Sequence, residues 1–147
     1  MLQRITIAFL ALFITTISFA QTDAKIEVVK HNHVALHVKD IAASTKFYKE
    51  VMGLKSVAVP DSLKAIRSWF KLGTDQQIHL LAGRDFEVKN DRNGSHFALF
   101  VTSIAAAEKY LTQHKMSFHK QVRFDGAVQI YVADPDGYLI ELNEVKR

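Results

Sequence analysis

The sequence predicts an α+β fold made of two copies of one strand–helix–three-strand (βαβββ) module. Two observations carry that expectation. The chain repeats itself at an offset of 63 residues, and each copy joins short apolar strand patterns through a single helical pattern. The repeat is clearest where His33-Val34-Ala35-Leu36-His37-Val38 aligns with His96-Phe97-Ala98-Leu99-Phe100-Val101. Eight of the fifteen positions from His33 to Phe47 are identical to their counterparts. Chance would give about one, so duplication is the better reading.

In the first copy, 32–38 is an apolar-rich strand and Asp40 stands where it can cap the following helix. That helix carries Ile41, Phe47, Tyr48 and Val51 at helical spacing and stops at Gly53. Strands are expected at 54–59, 66–72 and 76–82, with Gly73-Thr74-Asp75 turning between the last two. The second copy opens with a strand at 95–101, and Ser103 caps a helix running to about His114. Strands at 117–123, 127–133 and 138–143 complete it, with Asp134-Pro135-Asp136-Gly137 as the final tight turn. The expected organisation is therefore one domain over 31–143, with repeats at about 31–82 and 95–143 and polar tails outside them.

Composition narrows the function. The chain has 147 residues, 48% hydrophobic and 23% charged, with no cysteine and a formal charge of +4. This excludes collagen, a disordered tail, a disulfide-stapled mini-protein and thiolate chemistry. No basic run suggests nucleic acid. Met1–Arg4 is a short positive start, Ile5–Phe19 is almost unbroken apolar, and Ser18-Phe19-Ala20 has small residues where a signal peptidase reads. The apolar run is shorter than the roughly 20 residues that span a bilayer. Residues 1–20 are thus expected to be a signal peptide, cleaved after Ala20 to leave 127 residues. The mature protein is expected to be exported, with no stable membrane association.

The repeat also matches polar groups. His33 and His96 open the two halves, and Ile78-His79-Leu80 corresponds to Ile140-Glu141-Leu142. Pairing the halves about a pseudo-twofold would bring His33, His79, His96 and Glu141 to equivalent places. A carboxylate between apolar strand residues is costly unless paired or bound to a cation. Imidazole and carboxylate donors without sulfur favour a divalent ion: zinc, nickel, manganese, iron or cobalt. Strand parity puts Ala35 and His37 on the face of His33, and Gln77 and Asn143 on the faces of His79 and Glu141. His37, Gln77, Arg67 and Asn143 are candidate substrate contacts, and Arg84 and Arg123 are weighed as further holders of an acidic group against a solvated default. One of Trp69 and Phe70 must share the face of these groups if their strand is regular.

These residues resemble the vicinal oxygen chelate superfamily, which includes glyoxalase I, fosfomycin-resistance proteins, methylmalonyl-CoA epimerase and extradiol dioxygenases. The resemblance is carried by His33-Val34-Ala35-Leu36, the Phe47-Tyr48 helix, Gly53-Leu54 and Asp134-Pro135-Asp136-Gly137-Tyr138-Leu139-Ile140-Glu141-Leu142. It implies paired βαβββ modules whose curved sheets cup a divalent metal, often in a homodimer. It also implies His33, His96 and Glu141 as ligands of that metal, to which a small substrate is chelated through vicinal oxygens. His79 sits where glyoxalase I has a glutamate ligand, so it is a fourth ligand or the general base. In the glyoxalase-like reaction a proton leaves a carbon beside a carbonyl and returns to its neighbour. Tyr131, Asp134-Pro135, Gly137 and Glu141 also fit the extradiol dioxygenase motif, which wants a histidine at 122–124. Those positions are Val, Arg and Phe, and His119 lies earlier. His79, Glu141 and Tyr131 are the candidate catalytic groups. A non-catalytic drug-binding member is the remaining alternative.

Overall fold

The computed structural model describes residues 25–146. The expected signal peptide lies outside them. Lys25–Lys30 are exposed and without regular secondary structure. From His31 onward the chain is one compact unit. Among the described residues no helix is long and apolar enough to cross a membrane.

The first module contains β1 (His33–Val38), α1 (Ile41–Lys46), β2 (Lys55–Val57), β3 (Arg67–Leu72) and β4 (Gln76–Ala82). The second contains β5 (Phe97–Val101), α2 (Ile104–Gln113), β6 (Phe118–Val122), β7 (Val128–Ala133) and β8 (Leu139–Glu144). Each module makes a four-stranded sheet, in the orders β1-β4-β3-β2 and β5-β8-β7-β6. The first and last strands of each module pair in parallel and the others antiparallel. Both sheets are thus the same open, mixed sheet, as the duplication predicts.

The helices start where expected. The Asp40 carboxylate accepts the Ala42 and Ala43 N–H groups, and the Ser103 hydroxyl accepts that of Ala106. The first helix then departs from a simple α-helix. After Lys46 it widens into a π-helical turn over Phe47–Val51, where the Met52 N–H reaches the Phe47 carbonyl at 3.0 Å. The widened turn accommodates two consecutive aromatic side chains against the core: Phe47 and Tyr48 are both buried. β2 is shorter than the predicted 54–59: the Leu54 N–H is bonded back to the Tyr48 carbonyl, and the pairing with β3 ends at Val57 opposite Trp69. β5 starts at Phe97, leaving His96 just ahead of it. A 3₁₀ turn at Asp61–Leu63, unforeseen in the sequence, leads toward β3.

One apolar core serves both modules. Leu36, Val38, Phe47, Tyr48, Phe70, Ile78 and Leu80 join Ile104, Leu111, Ile130, Val132, Ile140 and Leu142 in a single cluster. The β7–β8 turn stitches the modules together. Asp134 accepts the Tyr48 hydroxyl at 2.8 Å. Asp136 accepts the Ser44 hydroxyl at 2.6 Å, the Lys39 N–H at 2.7 Å and Arg84 Nη2 at 2.9 Å. Tyr138 Oη donates to the His37 carbonyl at 3.0 Å and accepts its N–H at 3.2 Å. Gly137 closes the turn at φ +90°, a conformation that favours glycine. The side chains of Arg84 and Asp136 are each only 3% exposed. Arg84, weighed as a solvated charge or an anion holder, is neither. It is consumed by this clasp.

Candidate functional site

Strand alternation sorts the side chains before any chemistry is considered. Ile140 and Leu142 enter the core, so Leu139, Glu141 and Asn143 lie on the opposite face of β8. The register carries that face across the second sheet in rows. One row is His119, Tyr131, Glu141 and Ala98, and the next is Gln121, Gln129, Asn143 and Phe100.

Glu141 is the hub of this face. His96 Nε2 stands 3.0 Å from its Oε2, and the Tyr131 hydroxyl donates to the same oxygen at 2.6 Å. Its Oε1 accepts Asn143 Nδ2 at 2.7 Å and also Gln129 Nε2. Burial pushes the Glu141 carboxyl up. The hydrogen bonds from Tyr131 and Asn143 and the neighbouring His96 outweigh that and hold it below the usual carboxylate range. Tyr131 moves the other way, to about 12, through burial and then the hydrogen bond to Glu141. It therefore remains a donor throughout the physiological range.

The network extends outward. Gln121 Nε2 donates to Gln129 Oε1 at 2.9 Å and to Tyr131 Oη at 3.3 Å. Arg92, from the connection between the modules, donates to Gln121 Oε1 at 3.3 Å and contacts His119 Nε2 at 2.6 Å. A guanidinium only donates, so His119 accepts at Nε2.

The first sheet presents a second, aromatic group. Its open face carries the row Ala35, His79, Trp69 and Val57, flanked by His33, Gln77, Lys71 and Lys55 on one side and His37, Leu81 and Arg67 on the other. The rings of His33 and His79 stack with centroids 4.3 Å apart, and Trp69 stacks on His79 at 4.7 Å. His79 Nε2 donates to Gln77 Oε1 at 2.8 Å, leaving Nδ1 as its lone-pair nitrogen. Burial and then the adjacent His33 lower the His79 pKa, so the ring is favoured as neutral imidazole.

The predicted site residues therefore form two groups: His33, His79 and Gln77 on one sheet, and His96, Glu141, Tyr131 and Asn143 on the other. Within one chain the four expected ligands do not converge. Among the described residues no three histidine or acidic side chains gather as a metal-holding cluster. The physical reason is topological: β1 and β5 are edges of separate sheets, while the polar contacts between modules run largely through α1 and the 134–137 clasp. His37 lies on the open face, but its Nε2 is bonded to the Ala82 carbonyl at 3.1 Å. Arg67 shares that face and donates to the Ile66 carbonyl. Of the tryptophan–phenylalanine pair, Trp69 faces outward and Phe70 is fully buried.

Sequence reasoning missed Gln121, Gln129, Arg92 and the placement of His119. Two-residue alternation from Tyr131 and across the β6–β7 pair would have found the glutamines and His119. Arg92 lies in an irregular connection with no periodic signal. A wide depression of about 1490 Å³ borders the second sheet through Phe100 and Asn143, but none of the four expected ligands lines it.

Comparison with known proteins agrees with this architecture. Residues 30–142 match the family model described as the Glyoxalase/Bleomycin resistance protein/Dioxygenase superfamily. A virulence protein of Salmonella typhimurium is 33% identical over 123 residues, covering 77% of this chain and 82% of its own. Its crystal structure aligns with a TM-score of 0.60 at 28% identity, covering 82% of this chain and all of that one. A lactoylglutathione lyase from Agrobacterium tumefaciens aligns with a TM-score of 0.63 at 22% identity, covering 82% and 96% of the two chains. A glyoxalase/dioxygenase from Nostoc punctiforme aligns at 0.66 and 21%, covering 84% and 100%. The last two likenesses establish the fold alone.

Proposed function

Because the chain belongs to the Glyoxalase/Bleomycin resistance protein/Dioxygenase superfamily, we propose that it is an exported, divalent-metal-dependent enzyme of the glyoxalase type. It acts on a small substrate chelated through vicinal oxygens and moves a proton between adjacent carbons. The observation that carries this reading is the pairing of ligand-type groups at repeat-equivalent positions, His33 with His79 and His96 with Glu141. The donor set fits a borderline divalent ion. It offers three imidazoles and one carboxylate, with His79 favoured as neutral and Glu141 as anionic, the states metal binding needs.

His33, His79, His96 and Glu141 hold the ion, which supplies Lewis-acid polarisation of the chelated oxygens. Gln77 fixes the His79 ring, while Tyr131, Gln129 and Asn143 orient Glu141. His79 is read as the fourth ligand. In the competing role it accepts the substrate proton at Nδ1 and returns it to the neighbouring carbon.

A homodimer completes the site in this reading. β1 and β5 are both edge strands, and each lies beside the strand bearing the second member of its pair. Phe100 on β5 is 75% exposed, an apolar group a second copy would cover. The first sheet of one copy then faces the second sheet of the other.

Metal analysis of the purified mature chain tests the proposal, with near-stoichiometric divalent metal expected after reconstitution. Absence of metal favours a binding protein. His79→Ala separates the two roles: loss of metal identifies a ligand, and retained metal with lost turnover identifies the base. Anaerobic assay on methylglyoxal–thiol adducts and aerobic assay on catechols divide isomerase from dioxygenase. The dioxygenase reading has one specific support: His119 stands opposite Tyr131 in the register, with ring centroids 6.4 Å apart.

A further inference from the structure

The open face of the first sheet carries charge of only one sign. Its strand positions are His33, Ala35 and His37 on β1, Gln77, His79 and Leu81 on β4, Arg67, Trp69 and Lys71 on β3, and Lys55 and Val57 on β2. None is acidic. Lys55 and Lys71 are direct cross-strand partners. Cβ atoms at such positions stand about 5 Å apart, where like charges destabilise a sheet. Neither lysine joins any ion pair among the described residues. Both line a small cleft of about 280 Å³ with Gly53, Leu54 and Gly73. The glycines turn the chain at φ +65° and +55°, and no atom lies within 4 Å of where their Cβ atoms would stand, so the cleft is open at both turns.

The placement relative to the histidines gives the cleft a meaning. Lys71 lies in the same crosswise row as His33, two strands away, and Lys55 is one strand further. At about 4.8 Å per strand, Lys71 is roughly 10 Å from His33 along the sheet. Gln77 lies between them in that row, and Trp69, two residues before Lys71 on the same face of β3, stacks on His79 with the ring planes 21° apart.

Resting on the chelation reading above, we propose that Lys55 and Lys71 bind an anionic group of the substrate, a carboxylate or phosphate. A flat apolar segment passes over Trp69 and separates that anion from the chelating oxygens. The substrate class is thus an anionic chelator about one aromatic ring and a short linker long. Two ammonium groups converging on one anion replace a like-charge repulsion with two charge-assisted hydrogen bonds.

Trp69 is the sole tryptophan of the chain, so its fluorescence reports directly on this face. The probes are 3-phenylpropionate and its neutral counterpart 3-phenylpropionamide, titrated into metal-loaded and metal-free full-length protein. The acid is expected to bind about tenfold tighter than the amide in both forms, and increasingly weakly as salt rises. Lys55→Gln/Lys71→Gln is expected to abolish that preference while leaving amide binding and the circular dichroism spectrum unchanged. Equal affinity for acid and amide, or a preference that survives the double substitution, overturns the proposal. A third probe, 3-(3,4-dihydroxyphenyl)propionate, adds vicinal oxygens and is read by calorimetry. If it gains nothing from bound metal while the lysine dependence persists, the chelation reading fails and the anion site stands. A metal-dependent gain without lysine dependence rejects the anion site alone.

Discussion

Glu141 has every near neighbour it needs to remain charged inside a sheet, and Tyr131 supplies the 2.6 Å hydrogen bond to the oxygen that His96 also approaches. Removing that donor should raise the Glu141 pKa, because the bond is among the effects holding it down. Protons then compete with metal at higher pH. Tyr131→Phe is therefore expected to shift the acid limb of metal binding upward, by roughly one pH unit for each 1.4 kcal/mol of lost interaction. Metal titrations from pH 4 to 7 check this, and an unmoved acid limb would mean that Tyr131 does not tune the carboxylate. At this scale the sequence was informative wherever parity applied. His33, His79, Gln77, Glu141 and Asn143 all lie on the faces that alternation assigned. Gln129 and Gln121 obey the same parity, but a glutamine in a strand announces no chemistry until its partner is seen. Arg92 obeys no period at all.

The element that most changed meaning is the β7–β8 turn. From sequence it is a tight turn of Asp, Pro and Gly, and it is one. Its two carboxylates also face the other module, through partners 86 and 92 residues away in the chain, Tyr48 and Ser44. Local turn chemistry is legible in four residues, whereas such long-range partners are not. The π-turn at Phe47–Val51 escaped for a related reason, since burial of two adjacent aromatics is a tertiary demand. Burial pushes the Asp136 carboxyl up, but hydrogen bonds from Ser44, the Lys39 N–H and Arg84, with the Arg84 charge, outweigh it and hold the folded pKa low. A depressed folded pKa stabilises the protein above the unfolded carboxylate value of about 3.9, and that stabilisation is lost as pH falls through the folded value. Arg84→Met leaves a buried carboxylate without its cation and is expected to cost about 3–5 kcal/mol at pH 7. The gap between wild type and variant should narrow at pH 3.5, as the variant's Asp136, no longer held down by Arg84, takes up a proton. Urea unfolding at the two pH values measures this, and a pH-independent gap would assign the loss to packing.

For the whole molecule, duplication predicts two equal sheets, and two equal sheets are found. Their relation was less legible, because nothing in a repeat says whether its halves meet within one chain or across two. If two copies share each site, complementary defects rescue each other. A chain carrying His33→Ala and His79→Ala should lack metal, as should one carrying His96→Ala and Glu141→Gln. Unfolded together and refolded, random pairing gives half heterodimers, each with one intact site of two, so about one quarter of wild-type metal occupancy should return. Zero recovery, with dimers present by light scattering, would place all four ligands of a site in the same chain.

The clasp between the modules also sets a schedule. The backbone of His37 finds its Tyr138 partner 101 residues later, and Ser44 finds Asp136 after 92. Loops of that length close slowly, after local pairing is complete. During synthesis the first sheet can assemble as soon as β4 emerges, but α1 keeps buried-type polar groups open until nearly the last strand arrives. The N-terminal half of this duplicated protein therefore waits for its own copy before it is finished.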